Sequence, residues 1–355
     1  MALTIEQARK LKITGILISI GALLGLIYPI FSDGFRSIYP FINGLIIGIL
    51  IAALIGFFEF IVFGGRFKKR PFAQIFFARV VLYSLAIFCI VMFVFIIYRM
   101  LHFDLNFYSV LHSEEFLEFT SSRDFKAVWA YVLGIVALTN FVMQINKKMG
   151  QGVLWGFVSG RYYHPREVER VIMFISIQEA KTMIAQMGRL KYHKYLKEIL
   201  FDVTDHILFR KAVIYEYVDN EMVLLWKRKP GLENANCIRV FFDIKNKIES
   251  EKINYFEHYQ AIPKIQAASH IGKVIQGEIG DIKSEIRYSG DAMNTAARIL
   301  GQTSPENEFL VSQRLMELIN LPIIYQAEDI GTVSLKGKQR PLNLQNIKEK
   351  QVKTY

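Results

Sequence analysis

Residues 272–300 read GKVIQGEIGDIKSEIRYSGDAMNTAARIL, and this stretch decides the fold of the C-terminal half of the chain. It completes an apolar, strand-like run over residues 264–280, KIQAASHIGKVIQGEIG, which leads into the Gly280-Asp281 turn. A helix is predicted over residues 292–300. A strand, a turn and a helix in this order indicate a domain in which helices pack on a sheet.

Strand-like and helical runs also alternate before this stretch. They are a strand VIMFISI at 171–177, a helix at 191–209, two apolar runs in VIYEYVDNEMVLLW at 213–226 and a helix at 235–250. The two apolar runs flank Asp219 and Asn220, which tolerate the positive backbone angles of a tight turn, so they predict a β-hairpin. The sequence therefore predicts a compact α+β sheet domain over residues 170–348.

The opening stretch resembles the signature of class III adenylate and guanylate cyclases, which runs GxVxxGxxG, a basic residue and then GDxVNxAARL. LVSQRLMEL at 310–318 and LKGKQRPL at 335–342 match later parts of the family pattern in the correct order. The resemblance implies a ferredoxin-like fold and head-to-tail dimers in which both chains build each site. It also implies attack of the ribose 3′ hydroxyl on the α-phosphate of a nucleoside triphosphate, with two metal ions held by two aspartates.

Both metal-binding aspartates of the family pattern are replaced in this chain. The first lies in a pattern like FxDI, which corresponds to FISI at 174–177 and places Ser176 at the aspartate position. The second lies in a pattern like KYIGDEV, which places Asn220 there. Serine and asparagine are neutral, so the site lacks the charge that holds two divalent cations at close spacing. We expect no resident metal and no catalytic residue.

Carboxylates close in sequence leave an alternative open. Asp219 and Glu221 are near Asn220, but neighbouring strand positions point to opposite faces of a sheet, which argues against either as a substitute ligand. Shifting the alignment by one residue makes Asp219 the ligand, yet it moves Glu221 and Trp226 out of register with the family. Magnesium or manganese is expected only if the domain is an active cyclase.

Positions that contact nucleotide in the family are partly kept. Asn294 and Arg298 match the pair that orients ribose and phosphate, and Lys336 matches the phosphate lysine; their alternative role is structural, as polar helix and turn residues. The base-reading positions hold Glu216 and Arg287, an acceptor and a donor that suit cytosine, uracil or guanine better than adenine. The alternative is that Glu216 and Arg287 only pair with each other.

The N-terminal part of the chain is predicted to lie in a membrane. Of 355 residues, 52% are hydrophobic and only 21% are charged, and most of the charged residues follow residue 147. Four apolar runs, at 13–31, 41–63, 72–98 and 125–145, are about long enough to cross a bilayer, which takes roughly 20 helical residues. The sequence predicts a four-helix transmembrane domain over residues 1–149 and a linker over residues 150–169.

The distribution of charge predicts how these spans are oriented. Basic residues precede the first span, separate the second from the third and follow the fourth, whereas acidic residues separate the third from the fourth. They are Arg9, Lys10, Lys12, Arg66, Lys68, Lys69, Arg70, Lys147 and Lys148, against Asp104, Glu114, Glu115 and Glu118. Because cationic loops stay in the cytoplasm, we expect a multi-pass inner-membrane protein with both termini cytoplasmic. The same bias explains the net charge of +11, so no nucleic-acid partner is expected.

The chain lacks the metal-binding aspartates of the family pattern but keeps the residues that contact phosphate. This combination predicts a receptor rather than an enzyme. We expect a degenerate cyclase-like domain that binds a nucleotide at the interface of a homodimer and signals to the transmembrane helices, with a cyclic and pyrimidine nucleotide favoured. Antiphage signalling systems that use pyrimidine cyclic nucleotides employ membrane effectors of this kind, which suggests a defence role. The alternatives are an active membrane-bound cyclase, and an adaptor whose cyclase-like domain only dimerises.

Overall fold

The computed structural model describes residues 11, 14–15, 18–19, 21–23, 25–27, 30, 38–61, 70–150, 153–336 and 341–350. The chain divides into two compact units: residues 1–149, called here the N-terminal unit, and residues 150–355, called the sheet domain. The division falls where the apolar sequence gives way to the charged sequence.

Helices make up the described part of the N-terminal unit. They are α1 (Tyr39–Ile61), α2 (Phe72–Phe103), α3 (Phe107–Leu111), α4 (Glu114–Ser121) and α5 (Arg123–Met149). Aromatic contacts join α2 to the other long helices. The ring centroids of Phe88 in α2 and Trp129 in α5 lie 5.3 Å apart, and those of Phe58 in α1 and Tyr83 in α2 lie 6.4 Å apart.

One helix among the described residues meets the requirements for a membrane span. Phe72–Leu101 within α2 is 30 residues long and apolar enough to cross a bilayer. The third predicted span, 72–98, therefore coincides with a helix of the required length.

The other three predicted spans have weaker structural support. α1 contains only a shorter apolar stretch, Gly44–Phe58. α5 carries buried polar side chains at Asn140 and Gln144. Eight of the nineteen residues of the predicted span at 13–31, and residues 62–63 of the second one, lie outside the described residues. The four-span arrangement stays a prediction.

Glycines allow the first helical segment to approach α1 closely. Residues 21–23 and 25–27 are helical. A Cβ atom at Gly21 would lie 2.5 Å from the carbonyl oxygen of Gly48, and one at Gly25 would lie 2.0 Å from that of Gly44. Helices that pack through small residues in this way are common inside membranes.

The sheet domain is built from an eight-stranded sheet and the helices that cover it. The strands are β1 (Arg166–Ile177), β2 (Val213–Val218), β3 (Glu221–Lys227), β4 (Ile265–Ile279), β5 (Glu285–Ser289), β6 (Phe309–Ser312), β7 (Tyr325–Val333) and β8 (Leu342–Glu349). The helices are α6 (Val153–Val158), α7 (Ala180–Met187), α8 (Arg189–Phe209), α9 (Arg228–Leu232), α10 (Asn236–Ser250), α11 (Lys252–Tyr259), α12 (Asp291–Leu300) and α13 (Gln313–Met316). The mixed α+β domain that the sequence predicts is confirmed.

Strands β1 and β4 lie side by side in the interior of the sheet. The order is β2-β3-β1-β4-β6-β8-β7, and β5 pairs with β4 beside this path. Val171, Met173 and Ile175 of β1 face the large apolar core that includes α8 and α10. Ile172 and Phe174 face the opposite side, where α12 packs. Alternating apolar residues therefore let helices cover both faces of the sheet.

The sheet begins earlier along the chain than the sequence predicts. The predicted linker extends to residue 169, whereas β1 starts at Arg166, which lies opposite Gln276 of β4. Residues 166–169, REVE, contain one apolar residue, so they lack the pattern of a strand. They are extended because β4 is long enough to pair with them, which is a tertiary effect.

Candidate functional site

Ser176 and Asn220, at the two metal-ligand positions of the family pattern, lie next to each other. Ser176 is buried near the end of β1, and Asn220 belongs to the two-residue turn between β2 and β3. Asp219 opens that turn with a φ of 49°. The side-chain amide of Asn220 donates to Ser176 Oγ at 3.1 Å and to the backbone oxygen of Ile177 at 2.8 Å. The fold thus brings together two positions that are far apart in sequence.

The partners of Asn220 fix the orientation of its amide. The backbone oxygen of Ile177 can only accept a hydrogen bond, so the atom that faces it at 2.8 Å is Nδ2. A flipped amide would place its oxygen against the backbone oxygen of Ile177, which cannot donate. Two oxygens that a cation at this place would need therefore already accept hydrogen bonds from Asn220. Within the described ranges, no group of three or more His, Cys, Asp or Glu side chains is placed to hold a metal ion.

Glu221 lies on the same side of the sheet as Ser176, contrary to the expectation from strand alternation. The register of β1 and β3 places Glu221 directly opposite Ser176, and such cross-strand partners project to the same face. The argument from alternation was wrong because Asp219 and Asn220 form a turn rather than strand positions. Burial, and then the negative charge of Asp219, raise the pKa of Glu221. One carboxylate therefore lies beside the Ser176 position.

Glu216 and Arg287 lie on β2 and β5, and both side chains are exposed. No ion pair joins these two described residues; instead, the neighbouring tyrosines join the strands. The hydroxyl oxygen of Tyr215 accepts the backbone N–H of Tyr288 at 3.3 Å, and the two rings lie 5.1 Å apart, edge to face. Burial chiefly raises the pKa of Tyr215, while the charge of Glu216 raises it further and that of Arg287 lowers it. Both charges therefore flank this pair of tyrosines.

Sequence reasoning missed the role of Tyr215 and Tyr288. A β-bulge between Ile214 and Glu216 shifts the register of β2 against β3 at Tyr215. No residue pattern in the sequence signals that bulge. The adjacency of each tyrosine to a base-reading position was the only available clue.

Asn294 and Arg298 lie one helical turn apart on α12, on the side away from the buried Ala292 and Ala296. Asn294 is exposed and Arg298 is half-buried, and Lys336 is exposed in the turn that follows β7. None of these three side chains forms a hydrogen bond or ion pair with another described residue. They are therefore available to an anionic ligand.

Gly272 lets α12 lie close to β4. A Cβ atom at Gly272 would lie 2.7 Å from the Cβ of Ala292, so any larger residue would push the helix away. This glycine of the family signature thus sets the depth at which α12 presents Asn294 and Arg298.

The linker contacts β4, the strand that pairs with the Arg287-bearing strand β5. The carbonyl oxygen of Tyr162 accepts the backbone N–H of Glu278 at 2.9 Å. A Cβ atom at Gly277 would lie 3.2 Å from three atoms of Pro165, and Gly277 lies directly opposite Arg287 in the β4–β5 pair.

A second contact joins the start of β1 to the same strands. Arg170 donates to Gln276 Oε1 at 2.9 Å, and its guanidinium carbon lies 5.8 Å from the centre of the Tyr288 ring. These two contacts connect the beginning of β1 to β4 and to the Tyr288 ring of β5.

Comparison with solved structures defines the class of the sheet domain. Two structures of a bacterial light-regulated adenylyl cyclase match this chain with TM-scores of 0.53 and 0.52, each at 16% sequence identity. Each match covers 65% of this chain, and 68% and 67% of the other chains respectively. The sheet domain has the fold of class III nucleotide cyclase domains.

Comparison of sequences adds homology to the likeness of fold. The chain is 31% identical over 216 residues to "Adenylate cyclase 2" of Rhizobium meliloti (strain 1021), which is 61% of this chain and 60% of that protein. The chain thus spans about three fifths of the length of this relative. No protein-family model matches it. The chain is a homologue of a bacterial adenylate cyclase, and the resemblance to class III cyclases inferred from residues 272–300 is confirmed.

Proposed function

We propose that this chain is a membrane-anchored receptor whose degenerate cyclase domain binds a nucleotide and signals to the membrane helices. The observation that carries the proposal is the amide of Asn220, which donates to Ser176 Oγ and to the backbone oxygen of Ile177. An amide N–H₂ group that faces these oxygens repels a cation from the place that two aspartates would prepare for it. Two-metal chemistry on a triphosphate has no support at such a site.

The ligand we favour is a 3′,5′-cyclic nucleotide. Arg298 and Lys336 supply charge-assisted donors without metal help, and Asn294 supplies a polar group one turn from Arg298. A cyclic monophosphate carries one negative charge, so two cationic side chains are enough to neutralise it. Glu216 and Arg287, which flank the Tyr215–Tyr288 contact, would read the base, with a pyrimidine favoured.

The site would be completed by a second copy of the chain. Glu216, Arg287, Asn294 and Lys336 are all exposed, and a small ligand requires a concave site that buries most of its surface. A homodimer that pairs two sheet domains would provide the missing wall.

Binding would reach the membrane through the linker. The base-reading Arg287 lies opposite Gly277, which packs on Pro165, and Tyr162 is bonded to Glu278. A ligand that favours one orientation of β4 and β5 therefore also favours one position of the linker.

The membrane part would be a four-span domain in the inner membrane with both termini cytoplasmic. The close packing of Gly21 and Gly25 on α1 supports more than one membrane helix, because helices in lipid associate through such small residues. A receptor of this kind would fit an antiphage pathway in which a separate cyclase makes the signal.

The test is calorimetric titration of the full chain, purified in detergent micelles, with the four common 3′,5′-cyclic nucleotides, with and without magnesium. We expect one of them to bind with a Kd on the order of micromolar, independently of magnesium. Arg298→Ala should weaken binding at least about tenfold, which corresponds to about 1.4 kcal/mol for a lost charged contact. Lys252→Ala, an exposed lysine on α11, is the matched control and should bind as the parent does. Absence of any binding would leave only an adaptor that dimerises.

An active cyclase is the second candidate, and the position of Glu221 favours it. Glu221 lies opposite Ser176, where it is the only carboxylate that the described register places beside that position. The test is turnover of the four nucleoside triphosphates by the full chain with magnesium or manganese. Cyclic product that disappears in Glu221→Gln, but persists in the exposed control Glu257→Gln, would establish this reading in place of the receptor.

A further inference from the structure

The sheet domain has a cavity at the opposite end of β3 from the Asn220 turn. It has a volume of about 730 Å³ and is lined by Arg228, Lys229, Arg239 and Asn320, among others. Strand β3 runs from Glu221 to Lys227, which separates the cavity from Asn220 by about 20 Å at the usual rise per residue. The cavity is therefore distinct from the nucleotide site.

The charges around the cavity do not balance. Arg228 pairs with Glu169 at 3.0 Å, and Glu233, the one acidic residue of the lining, pairs with Lys211 at 2.6 Å. Glu169 is shared, because Arg314 lies 3.5 Å from its other oxygen. Lys229 and Arg239 form no ion pair with any described residue, so the cavity keeps an uncompensated charge of two cations.

Arg239 shows that a hydrogen-bond acceptor is missing. Its Nε atom is buried and has no hydrogen-bond partner among the described residues, although the side chain as a whole is half-buried and buried N–H groups are normally paired. Arg239 lies in the first turns of α10 and lines the cavity. An anion in the cavity would supply the acceptor that the chain does not.

The backbone beside the cavity also contributes positive charge. Asn234 and Ala235 both have a φ of 52°, and they precede α10, a helix of 15 residues. No side chain caps the beginning of α10, so the N–H groups of its first turn are directed out of the helix without a side-chain acceptor. The partial positive charge of the helix N-terminus adds to the charge of Lys229 and Arg239.

We propose that this cavity binds the phosphate group of a small phosphorylated ligand. A phosphate monoester or a diphosphate offers several acceptor oxygens at once. Such a group suits a cavity that has two cations, a buried Nε atom without a hydrogen-bond partner and a helix N-terminus. The volume leaves room for more than the phosphate group. The same chemistry is offered by a soluble phosphorylated metabolite and by a phospholipid headgroup.

The test uses the full chain in nonionic detergent micelles, with inorganic pyrophosphate as the probe, at constant ionic strength. To keep the probe from the nucleotide site, the titration is performed on the parent and on Arg298→Ala. We expect saturable binding in both, weakened at least about tenfold by Arg239→Gln and by Lys229→Gln. Lys229 is exposed, so its variant should fold even if Arg239→Gln does not. Lys252→Gln is the matched control and should bind as the parent does.

The outcomes separate clearly. Absence of saturable binding, loss of binding in Arg298→Ala alone, or equal binding by Arg239→Gln and Lys229→Gln would overturn the proposal. A repeat in lipid nanodiscs identifies the source of the phosphate. If phosphatidate in the nanodisc displaces pyrophosphate, the natural ligand is a lipid headgroup; if it does not, the ligand is soluble.

Discussion

At the scale of single residues, Asn220 holds the β2–β3 turn against the end of β1 through the hydrogen bonds of its side-chain amide. An aspartate at this position would present two acceptor oxygens, whereas the asparagine presents a donor group that satisfies Ser176 Oγ and the oxygen of Ile177. Because Ser176 is also neutral, the two positions together stabilise the turn without needing an ion.

The first prediction concerns Asn220→Asp. The carboxylate cannot donate, so the hydrogen bond to the backbone oxygen of Ile177 is lost and an acceptor faces that oxygen, whereas the hydroxyl of Ser176 can still donate to the new side chain. The variant should lose about 1–3 kcal/mol of unfolding free energy at neutral pH and regain part of it as acid protonates the new carboxyl. Urea unfolding followed by tryptophan fluorescence measures this, with the exposed Asn246→Asp as control. Unchanged stability of Asn220→Asp, or a rise in the stability of the parent on adding magnesium, would contradict the proposed receptor site.

The second prediction concerns the half-buried Glu221. Burial, followed by the charge of Asp219, raises its pKa above the ordinary value of 4.5. Its favourable contribution to stability is therefore present below that value and is lost as the pH rises through the raised pKa. Glu221→Gln should be more stable than the parent at pH 8, and the difference should shrink as the pH falls toward about 4.5.

Thermal unfolding at several pH values checks this, with the exposed Glu257→Gln as control. A difference between Glu221→Gln and the parent that stays constant with pH would mean that packing, rather than charge, decides the effect.

At the scale of elements, the linker is attached to the sheet by a contact that leaves no space for a side chain. Pro165 packs on Gly277 of β4, and Arg166 continues directly into β1. The linker is therefore not a free tether. Its last residues form part of the sheet domain, next to the strand pair that carries Arg287.

The third prediction concerns Gly277→Val. The new side chain would begin 3.2 Å from Pro165, so the linker must move outward, at a cost of about 1–3 kcal/mol. Trypsin should then cut more rapidly after Arg161 and Arg166, as measured by mass spectrometry of the fragments. Gly301→Ala is the control, because a Cβ atom there would meet only the oxygen of Arg298 at 3.4 Å. Equal cleavage of Gly277→Val and the parent would show that the contact does not hold the linker.

At the scale of the whole molecule, the number of membrane spans decides on which side the sheet domain lies. Four spans place both termini on the same side of the membrane. A single span at Phe72–Leu101, the one helix that the described residues support by length and apolarity, would place them on opposite sides. The basic residues on both sides of the predicted spans favour the even number.

The fourth prediction follows from the even number of membrane spans. Reporter fusions that are active only outside the cytoplasm should be active when joined after residue 111 and inactive when joined after residue 149. Fusions of a fluorescent protein that matures only in the cytoplasm should show the reverse pattern. A fusion after residue 149 that reports an extracytoplasmic position would refute the four-span topology and would separate the sheet domain from cytoplasmic nucleotides.

The longer elements of the sheet domain from β1 to α12, and their order, follow from the sequence, whereas the shorter elements α7, α9, α11 and β5 were not predicted. The β2–β3 hairpin and the helix that carries Asn294 and Arg298 follow from local periodicity and turn chemistry. The resemblance to class III cyclases also predicts that Ser176 and Asn220 occupy the two metal-ligand positions, and residue type alone shows that both side chains are neutral.

Only the tertiary structure decided how these positions interact. The bond between Asn220 and Ser176 joins residues 44 apart in sequence, and the Tyr215–Tyr288 contact joins residues 73 apart. The side of the sheet on which Glu221 lies depends on strand register, and the buried Nε atom of Arg239 depends on how α10 packs. Register, bulges and burial arise from non-local packing, which local sequence patterns do not encode.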